Sequence, residues 1–428
     1  MSKPVLDSDT AVTTLGNGVR VVAIRLPHLE TASVSVFVRS GSQHESRRLN
    51  GISHVVEHMA FKGTHERDCQ QINLDAERLG ADVNAHTDKD HTAFHMSGLA
   101  GDAGRFVRML GDIVQGSTFP QDELERERQV ILHELTEDED DALSTAYKLF
   151  DKLCFGAHPV AQPVIGTRRN IERFARAELL DYVRSQYTGA NVVVGIAGNI
   201  DADAILADAQ AAFGSMPAGS ANAVARPAYL GGVATRRQVG CSQTHVVLGF
   251  PIPGLADDYH AGVVAAALFG EGMSSPLMDQ IRERRGLVYY AACSADVLDL
   301  CGQFVIEATT VPKHLDEFFV EVARLLAAHA ESTDRVGLER ARNQIAVRML
   351  RSQERPLRRL EDAAQDLFTH GRVRPRAELR AAVEAVDAGS VRAAFERMLA
   401  AGASVAIAGK VGKGADTKIP ELLAMRPV

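Results

Sequence analysis

Two spacings of hydrophobic positions alternate along the chain, and together they predict a protein that mixes strands and helices. An Asn17-Gly18 pair stands directly before the hydrophobic run 19–24, which is typical of a hairpin turn followed by a strand. Valines occupy every second position at the end of residues 32–38, as in a strand with one buried face. From Gly51 the hydrophobic residues recur at the spacing of a helix instead.

The alternation continues through the following segments. Residues 81–97 are predicted to form a strand and residues 99–117 a helix. A long helix should begin near Pro120, because proline suits the first turn and the acidic residues after it lie near the positive end of the helix dipole. We expect this helix to continue past Glu134 towards residue 153.

Two strand-like segments of the first half recur in the second half at one offset. Residues 244–250 resemble the strand near residue 32, and residues 404–411 resemble the hydrophobic strand predicted at 192–200. Both pairs are about 212 positions apart, and a repeat of that length indicates two homologous half-domains.

The boundary between the two halves is expected in residues 217–232. This segment is rich in Ala, Gly, Ser and Pro and shows little periodicity, as linkers do. We therefore expect one half-domain at 1–216, a linker at 217–232 and a second half-domain at 233–428. The length of 428 residues suits this division, since it corresponds to two or three domains of ordinary size.

Composition and charge exclude several classes of protein. The hydrophobic fraction of 46% and the charged fraction of 24% are those of a globular protein, and the net charge of −8 argues against a nucleic-acid partner. No hydrophobic run approaches the about 20 residues of a membrane-spanning helix, and residues 1–10 carry no hydrophobic signal segment, so no membrane partner is expected. Five cysteines without a Cys-x-x-Cys pair suggest reduced thiols and a cytoplasmic protein.

The segment His54-Val-Val-Glu57-His58 carries the most informative chemistry in the chain. Positions i and i+4 of a helix lie on one face, so His54 and His58 can direct two imidazoles at one metal ion. Glu57 stands beside the pair and could act as a general base without binding the metal. A helix with two ordinary surface histidines is the alternative, but the flanking hydrophobic residues indicate a mostly buried helix, in which ionisable groups need partners.

A catalytic zinc site takes three protein ligands, so a third ligand must come from another part of the chain. Glu127 and Glu134 are the candidates, because they are seven positions apart on the long predicted helix and project from one face. The same spacing fits two glutamates on an acidic, solvent-exposed helix, and spacing alone does not decide between these interpretations.

His91 and His95 form a second pair of histidines four positions apart, but they lie in the predicted strand 81–97. At about 3.3 Å per residue they would be about 13 Å apart, which is too far to share one ion. This pair is therefore not expected to form a metal site.

The zinc motif, taken with the segment ERERQVILHE that ends at Glu134, resembles the inverted-motif zinc peptidases of the pitrilysin and insulin-degrading enzyme family, which includes the mitochondrial processing peptidases. In that family the motif is HxxEH, and the third ligand is a glutamate roughly 75 residues downstream. The resemblance implies that His54, His58 and Glu134 bind one zinc ion per chain and that Glu57 is the catalytic base. It implies a supporting catalytic role for Glu127.

The resemblance extends over nearly the whole chain. Residues 61–64, residues 158–166 and residues 272–289 match further motifs of the family, although Pro276 stands where arginine is usual. The implied fold is α+β, with two homologous half-domains that are each a mostly antiparallel sheet covered by helices.

The resemblance also implies the residues that bind substrate. Arg282 and Tyr289 match a catalytic and substrate-binding pair, whose guanidinium and hydroxyl can donate to a developing oxyanion. Taken alone, they are better explained as a cation near a helix end and a half-buried strand aromatic. Four positions match an edge strand that pairs with peptide backbone, the last of them in place of a more usual aromatic or small residue: Val83, Asn84, Ala85 and His86.

Family members of this length pair into a clam-like chamber, so the resemblance implies a homodimer or a heterodimer with a related subunit. The implied activity is that of a zinc-dependent endopeptidase that cleaves short or unfolded peptides inside the chamber. No HxxEH recurs in the second half of the chain, which leaves one zinc site. The alternatives are a catalytically silent scaffold, and a subunit of a heterodimeric processing peptidase that acts on targeting peptides.

Overall fold

The structure, a computed structural model, describes residues 9–423. Its strands are β1 (Thr10–Thr14), β2 (Arg20–Arg25), β3 (Thr31–Val38), β4 (Asp82–Thr87), β5 (Thr92–Leu99), β6 (Val192–Gly198), β7 (Gly232–Arg237), β8 (Thr244–Ile252), β9 (Tyr290–Val297), β10 (Gly302–Thr310) and β11 (Ser404–Gly409). Its α-helices are α1 (Ile52–Ala60), α2 (Cys69–Arg78), α3 (Ala103–Gly116), α4 (Gln121–Asp140), α5 (Ala142–Phe155), α6 (Arg168–Arg173), α7 (Arg176–Gln186), α8 (Ala202–Phe213), α9 (His260–Gly270), α10 (Leu315–Glu331), α11 (Arg335–Gln353), α12 (Pro356–His370), α13 (Arg376–Ala385), α14 (Ala388–Ala401) and α15 (Ala415–Leu422).

The first sheet has six strands in the order β1-β2-β6-β3-β5-β4. Its neighbouring strands are antiparallel except β2 and β6, which are parallel. Alternate residues of β2 face opposite sides, so that Val21 lies in the core that also contains residues of α1 and α3, whereas Val22 lies in the core that contains residues of α12. Because both faces are covered, residues 21–24 are hydrophobic throughout rather than alternating.

The second sheet repeats this plan with five strands in the order β7-β11-β8-β10-β9. Again one pair, β7 and β11, is parallel and the others are antiparallel. Helices α9, α10 and α14 cover one face, and α5 covers the other. The two strand orders correspond when β1 is left out, which explains the sequence repeat. The α+β fold with two helix-covered, mostly antiparallel sheets is confirmed.

The chain forms two compact units that are interleaved along the sequence. The contiguous half-domains 1–216 and 233–428 do not describe them, because α5 packs on the second sheet and α12 packs on the first. Of the expected linker 217–232, residues 217–231 form no helix or strand, and Gly232 begins β7. Among residues 9–423, one unit comprises the residues up to Leu135, Gln162–Val224 and Arg351–Arg376, and the other comprises Thr136–Ala161, Ala225–Leu350 and the residues from Ala377 onwards.

The long helix predicted to run towards residue 153 is divided in two. Helix α4 ends at Asp140, and the carboxylate of Asp141 accepts hydrogen bonds from the backbone N–H groups of Leu143 and Ser144 at 3.2 and 3.1 Å. Aspartate caps a new helix more favourably than it continues an old one, because its side chain competes for backbone N–H groups.

The single strand predicted at residues 81–97 is instead a hairpin of β4 and β5. In its turn, the backbone N–H of Asp88 donates to the carbonyl of His91 at 2.8 Å. The polar sequence Asp-Lys-Asp at 88–90 interrupts the strand spacing and accounts for the turn.

Within residues 9–423 no helix is long and apolar enough to cross a membrane. The five cysteines all lie in this part of the chain, and none of them forms a disulfide.

Candidate metal centre

Helix α1 carries the segment 54–58, and its start is tightly constrained. Gly51, which precedes the helix, has a φ of +97°, and a Cβ at this position would lie 2.8 Å from the Cα of Gly166. The buried carboxylate of Glu45 accepts hydrogen bonds from the backbone N–H groups of Gly51 at 2.7 Å and Ser53 at 2.8 Å. These contacts satisfy N–H groups that lack partners within the helix and fix where it begins.

The hydrophobic residues of α1 pack into the hydrophobic core on one face of the first sheet, as the sequence indicated. His54 and His58 lie one turn apart, and their ring centroids are separated by 4.7 Å. Both side chains are largely shielded from solvent, with 11% and 21% of their surface exposed. The residues that anchor the helix are Ile52, Val55, Val56 and Met59.

Glu134 approaches both histidines from α4. One carboxylate oxygen lies 3.7 Å from Nε2 of His54, and the other lies 3.6 Å from Nε2 of His58. These separations exceed those of ordinary hydrogen bonds. Two ligands at 2.0–2.1 Å from one tetrahedral ion are about 3.3 Å apart, so the spacing suits atoms that face a shared ion. One ligand atom of each of the three residues lies within 4.8 Å of the others.

Burial and the neighbouring charges shift the pKa values of all three residues in this group. Burial and the neighbouring His58 lower the pKa of His54 to about 4, so its imidazole is neutral at pH 7. Contact with the His58 ring keeps the pKa of Glu134 below its usual range. Burial lowers the pKa of His58, but the carboxylates of Glu134 and Glu127 outweigh this effect and raise it. Two imidazoles and a carboxylate are a donor set that zinc accepts at catalytic sites, so the residues fit the ion.

Glu57 lies on α1 beside this group without belonging to it. Its Oε2 accepts a hydrogen bond from Oγ1 of Thr87, at the end of β4, at 2.7 Å. Burial raises the pKa of Glu57, although the Thr87 hydrogen bond and the nearby His58 act in the opposite direction. A carboxylate with a raised pKa is a stronger base than an ordinary one, which suits a role in proton transfer.

Glu127 contacts the opposite nitrogen of His58. Its Oε2 lies 3.1 Å from Nδ1 of His58, and its Oε1 lies 2.7 Å from Nζ of Lys62. A proton on Nδ1 that is donated to Glu127 leaves the Nε2 lone pair directed towards Glu134. In this geometry Glu127 orients a candidate ligand and stays outside the group that could hold the ion.

The four residues expected to bind substrate lie on β4, the edge strand of the first sheet. This strand pairs with β5 on one side, and its other edge adjoins no strand within residues 9–423. Since β4 ends at Thr87, whose hydroxyl donates to Glu57, the open edge leads directly to the candidate base. The four residues are Val83, Asn84, Ala85 and His86.

Three residues of the site were not identified from the sequence. Lys62 lies four positions after His58, so helical spacing could have indicated it. Thr87 directly follows the expected substrate strand, but no spacing rule relates that strand to α1. Glu45 lies in an irregular segment with no signal of its own.

Comparison with known proteins places the chain in a family. Residues 20–168 match the family model described as insulinase, peptidase family M16, and residues 173–345 match the model described as peptidase M16 inactive domain. An uncharacterised zinc protease of Mycobacterium tuberculosis is 34% identical over 345 residues, which cover 79% of this chain and 78% of the relative. The chain belongs to peptidase family M16. The family resemblance seen in the motifs is thereby confirmed.

Further relatives of this M16 chain have similar descriptions. An uncharacterised zinc protease of Bacillus subtilis is 31% identical over 318 residues, covering 73% of this chain and 77% of the relative. Another uncharacterised zinc protease, from Rickettsia felis, is 28% identical over 383 residues, which cover 89% of this chain and 92% of the relative.

Solved structures share the fold of this M16 chain. A protease from Helicobacter pylori superposes with a TM-score of 0.85 at 19% identity, covering 93% of this chain and 99% of the other. A peptidase M16 inactive domain from Pseudomonas fluorescens superposes with a TM-score of 0.84 at 22% identity, covering 94% of this chain and 98% of the other. A chain of complex III2 from Candida albicans superposes with a TM-score of 0.82 at 18% identity, covering 93% of this chain and 95% of the other. At these identities the likeness concerns the fold.

In this M16 chain Arg282 and Tyr289 belong to the unit of the second sheet, whereas the candidate metal ligands belong to the other unit. Arg282 lies in a π-helical segment, Met278–Glu283, and its guanidinium contacts Glu283 at 3.2 Å. This segment ends three residues before Gly286, and π-helical geometry is frequent at functional sites. Tyr289 precedes β9 by one residue and is 66% exposed.

Proposed function

We propose that this M16 chain is a zinc-dependent endopeptidase. The observation that carries the proposal is the convergence of His54, His58 and Glu134, with Glu57 beside them. The descriptions of the relatives from Mycobacterium tuberculosis and Rickettsia felis as zinc proteases support the same activity.

The chemistry follows from the positions of the side chains. Zinc, when bound by His54, His58 and Glu134, supplies a Lewis acid that polarises the scissile carbonyl and activates water. Glu57 would accept the proton of the attacking water and deliver it to the leaving amine. Thr87 holds the Glu57 carboxylate in position through its hydrogen bond of 2.7 Å.

The open edge of β4 suggests the class of substrate. An extended peptide can add to a sheet edge through backbone hydrogen bonds, which give affinity with little dependence on sequence. A folded protein rarely presents a free strand of this kind. We therefore propose that short or unfolded peptides are cleaved, with their backbone aligned along Val83, Asn84, Ala85 and His86.

Metal removal is expected to abolish cleavage of unfolded peptides. Dialysis against a chelator should remove the ion, and addition of zinc should restore the rate, because no other group of the site supplies a Lewis acid. Cleavage of a quenched-fluorescence peptide measures the rate, and mass spectrometry of the products shows whether internal bonds are cut. Full activity of the chelated protein would refute the proposal. Zinc-loaded protein that cleaves no peptide would favour the silent scaffold.

We further propose that two copies assemble around the substrate, so that Arg282 and Tyr289 of one copy act on peptide held by the metal ligands of the other. A metal site that faces open solvent orients a peptide poorly and does not exclude water, and a second copy would remedy both. The exposed side chain of Tyr289 is available for this role. A related chain in place of the second copy is the heterodimeric alternative.

Mixing two inactive variants tests the arrangement. One variant is Glu57→Gln, and the other combines Arg282→Ala with Tyr289→Phe. If the pair acts across the dimer, each mixed dimer contains one site with all three residues intact, and cleavage should partly return. Subunit exchange is followed with differently tagged copies. No recovery despite demonstrated exchange would reject action across the dimer, and a fully active monomer would reject the dimer itself.

A further inference from the structure

A second group of metal-binding side chains surrounds the end of β4. His86 lies on β4, Asp88 and His91 lie in the turn that follows, and α12 brings Glu361 to them. One nitrogen or oxygen atom of each of these four residues lies within 4.8 Å of those of the other three. No residue is shared with the group around His54.

The two histidines of this group approach each other at a distance that a shared ion explains. Nε2 of His86 lies 3.4 Å from Nε2 of His91. A well-formed hydrogen bond from a ring N–H would be shorter, commonly about 2.9–3.0 Å. Two nitrogens at 2.0–2.1 Å from one tetrahedral ion are about 3.3–3.4 Å apart, which agrees with the observed separation.

The buried residue Asp90 orients His91 for this purpose. Nδ1 of His91 lies 2.7 Å from Oδ1 of Asp90, and the His91 side chain is only 2% exposed. A proton on Nδ1 that is donated to Asp90 leaves the Nε2 lone pair directed towards His86. Histidines that bind metals almost always have a second partner of this kind, which fixes the ring and its tautomer.

Two carboxylates complete the donor set. Asp88 is held in the turn, since its backbone N–H donates to the carbonyl of His91 at 2.8 Å. One oxygen of Glu361 accepts a hydrogen bond from Arg358 at 3.1 Å, which leaves its other oxygen for an ion. Two imidazoles and two carboxylates favour a divalent transition metal such as zinc over calcium or magnesium, which prefer oxygen ligands alone.

We propose that His86, Asp88, His91 and Glu361 bind a second divalent transition-metal ion, with zinc as the first candidate. The ion fastens the β4–β5 turn to α12 and has a structural role. Thr87 stands between two of the ligands, so the ion also holds the residue whose hydroxyl donates to Glu57. Metal binding at this site does not depend on the proposed peptidase activity, because it shares no ligand with the group of His54, His58 and Glu134. The sequence predicted one zinc ion per chain, and the second site proposed here would raise that number to two.

Metal content of four proteins tests this proposal. The wild-type chain is compared with a variant of the new site, Asp88→Asn with Glu361→Gln, and with a variant of the first site, His58→Gln with Glu134→Gln. The fourth protein combines all four substitutions. After equilibration with zinc and gel filtration, elemental analysis should give two, one, one and no ions per chain.

The substitutions at the new site replace carboxylates with amides of the same shape, on side chains that are exposed or partly exposed. A matched control, Asp82→Asn with Glu354→Gln, removes two exposed carboxylates outside the group and should keep both ions. Circular dichroism verifies folding. As a second measurement, cobalt titration of the first-site variant should give the visible absorption of one bound ion, which is lost in the fourth protein.

The possible outcomes separate the two metal sites. If the wild type binds one ion only, or if the Asp88→Asn, Glu361→Gln variant keeps the metal content of the wild type, the proposal is overturned. If the His58→Gln, Glu134→Gln variant keeps the wild-type metal content instead, the ligand set of the proposed peptidase site is wrong. The second site is then tested by the comparison of the wild type with the Asp88→Asn, Glu361→Gln variant.

Discussion

Replacing Glu57 with glutamine should lower the rate of peptide cleavage by about 10²- to 10⁴-fold while the protein keeps its zinc. The glutamine has nearly the same shape, and its carbonyl oxygen can still accept the hydrogen bond that Thr87 donates to Glu57. It has no basic oxygen, so it cannot accept the proton of the attacking water. Because Glu57 lies outside the group of metal ligands, the loss should fall on turnover rather than on metal content.

Steady-state kinetics on an unfolded peptide and elemental analysis of the same preparation measure the two effects. Glu77→Gln is a matched control, since Glu77 is exposed on α2 and the substitution removes the same charge. This control should retain the wild-type rate. A Glu57→Gln protein that loses zinc and activity in equal proportion would show instead that Glu57 binds the ion or supports the fold.

The pH dependence provides a further check on the same residue. Only the carboxylate form of Glu57 can accept a proton, so the rate should fall as the pH decreases through its pKa. Burial raises this pKa, and the acid limb of the kcat/KM profile should therefore lie above the pH expected of an ordinary glutamate. An acid limb at the ordinary position would argue against Glu57 as the base.

Replacing Glu134 with glutamine should reduce both zinc affinity and cleavage. An amide oxygen is neutral and binds a metal ion more weakly than a carboxylate oxygen does. The substitution also removes the negative charge that faces the imidazoles of both His54 and His58. Loss of a residue that only hydrogen-bonds to a metal ligand lowers metal affinity by about 10- to 100-fold. Because Glu134 is itself a ligand, we expect the affinity for zinc to fall by more than this. Activity should be lost in parallel at limiting zinc and should recover in part at high zinc.

Competition with a zinc-binding dye measures the affinity, in the Asp88→Asn, Glu361→Gln background so that only one site is counted. Glu137→Gln, on the same helix, removes an equal charge from an exposed position and should leave the affinity unchanged. If Glu134→Gln retains the wild-type affinity and rate, another residue is the third ligand. Glu127 would then be the first residue to examine, because it already contacts His58.

Spacing along α4 left Glu127 and Glu134 equally suited to be the third ligand, and the structure gives them different positions. Both project from one face, but they are two turns apart, so α1 meets each at a different point. Glu134 faces Nε2 of both histidines, whereas Glu127 faces Nδ1 of His58 and the ammonium group of Lys62. The choice depends on how two helices cross, and helical periodicity contains no information about that crossing.

Local spacing was least informative where polar residues interrupt an element. Asp141 divides the predicted long helix, and the turn at residues 88–91 divides the predicted strand. The divided strand changed the interpretation of the histidines as well. His91 is too far along an extended strand to pair with His95, but the turn brings it to His86 instead.

Patterns in the sequence were sufficient to predict a mixture of strands and helices, two homologous halves and the face of α1 that presents His54 and His58, because strand and helix periodicity are properties of short segments. The α+β class followed from the family resemblance. The packing of distant segments was needed to show that α12 covers the first sheet and brings Glu361 beside His91, and that Thr87 donates to Glu57. Those contacts join segments far apart in the chain. They are set by which hydrophobic faces pack together, and neighbouring residues in the sequence carry no record of that choice.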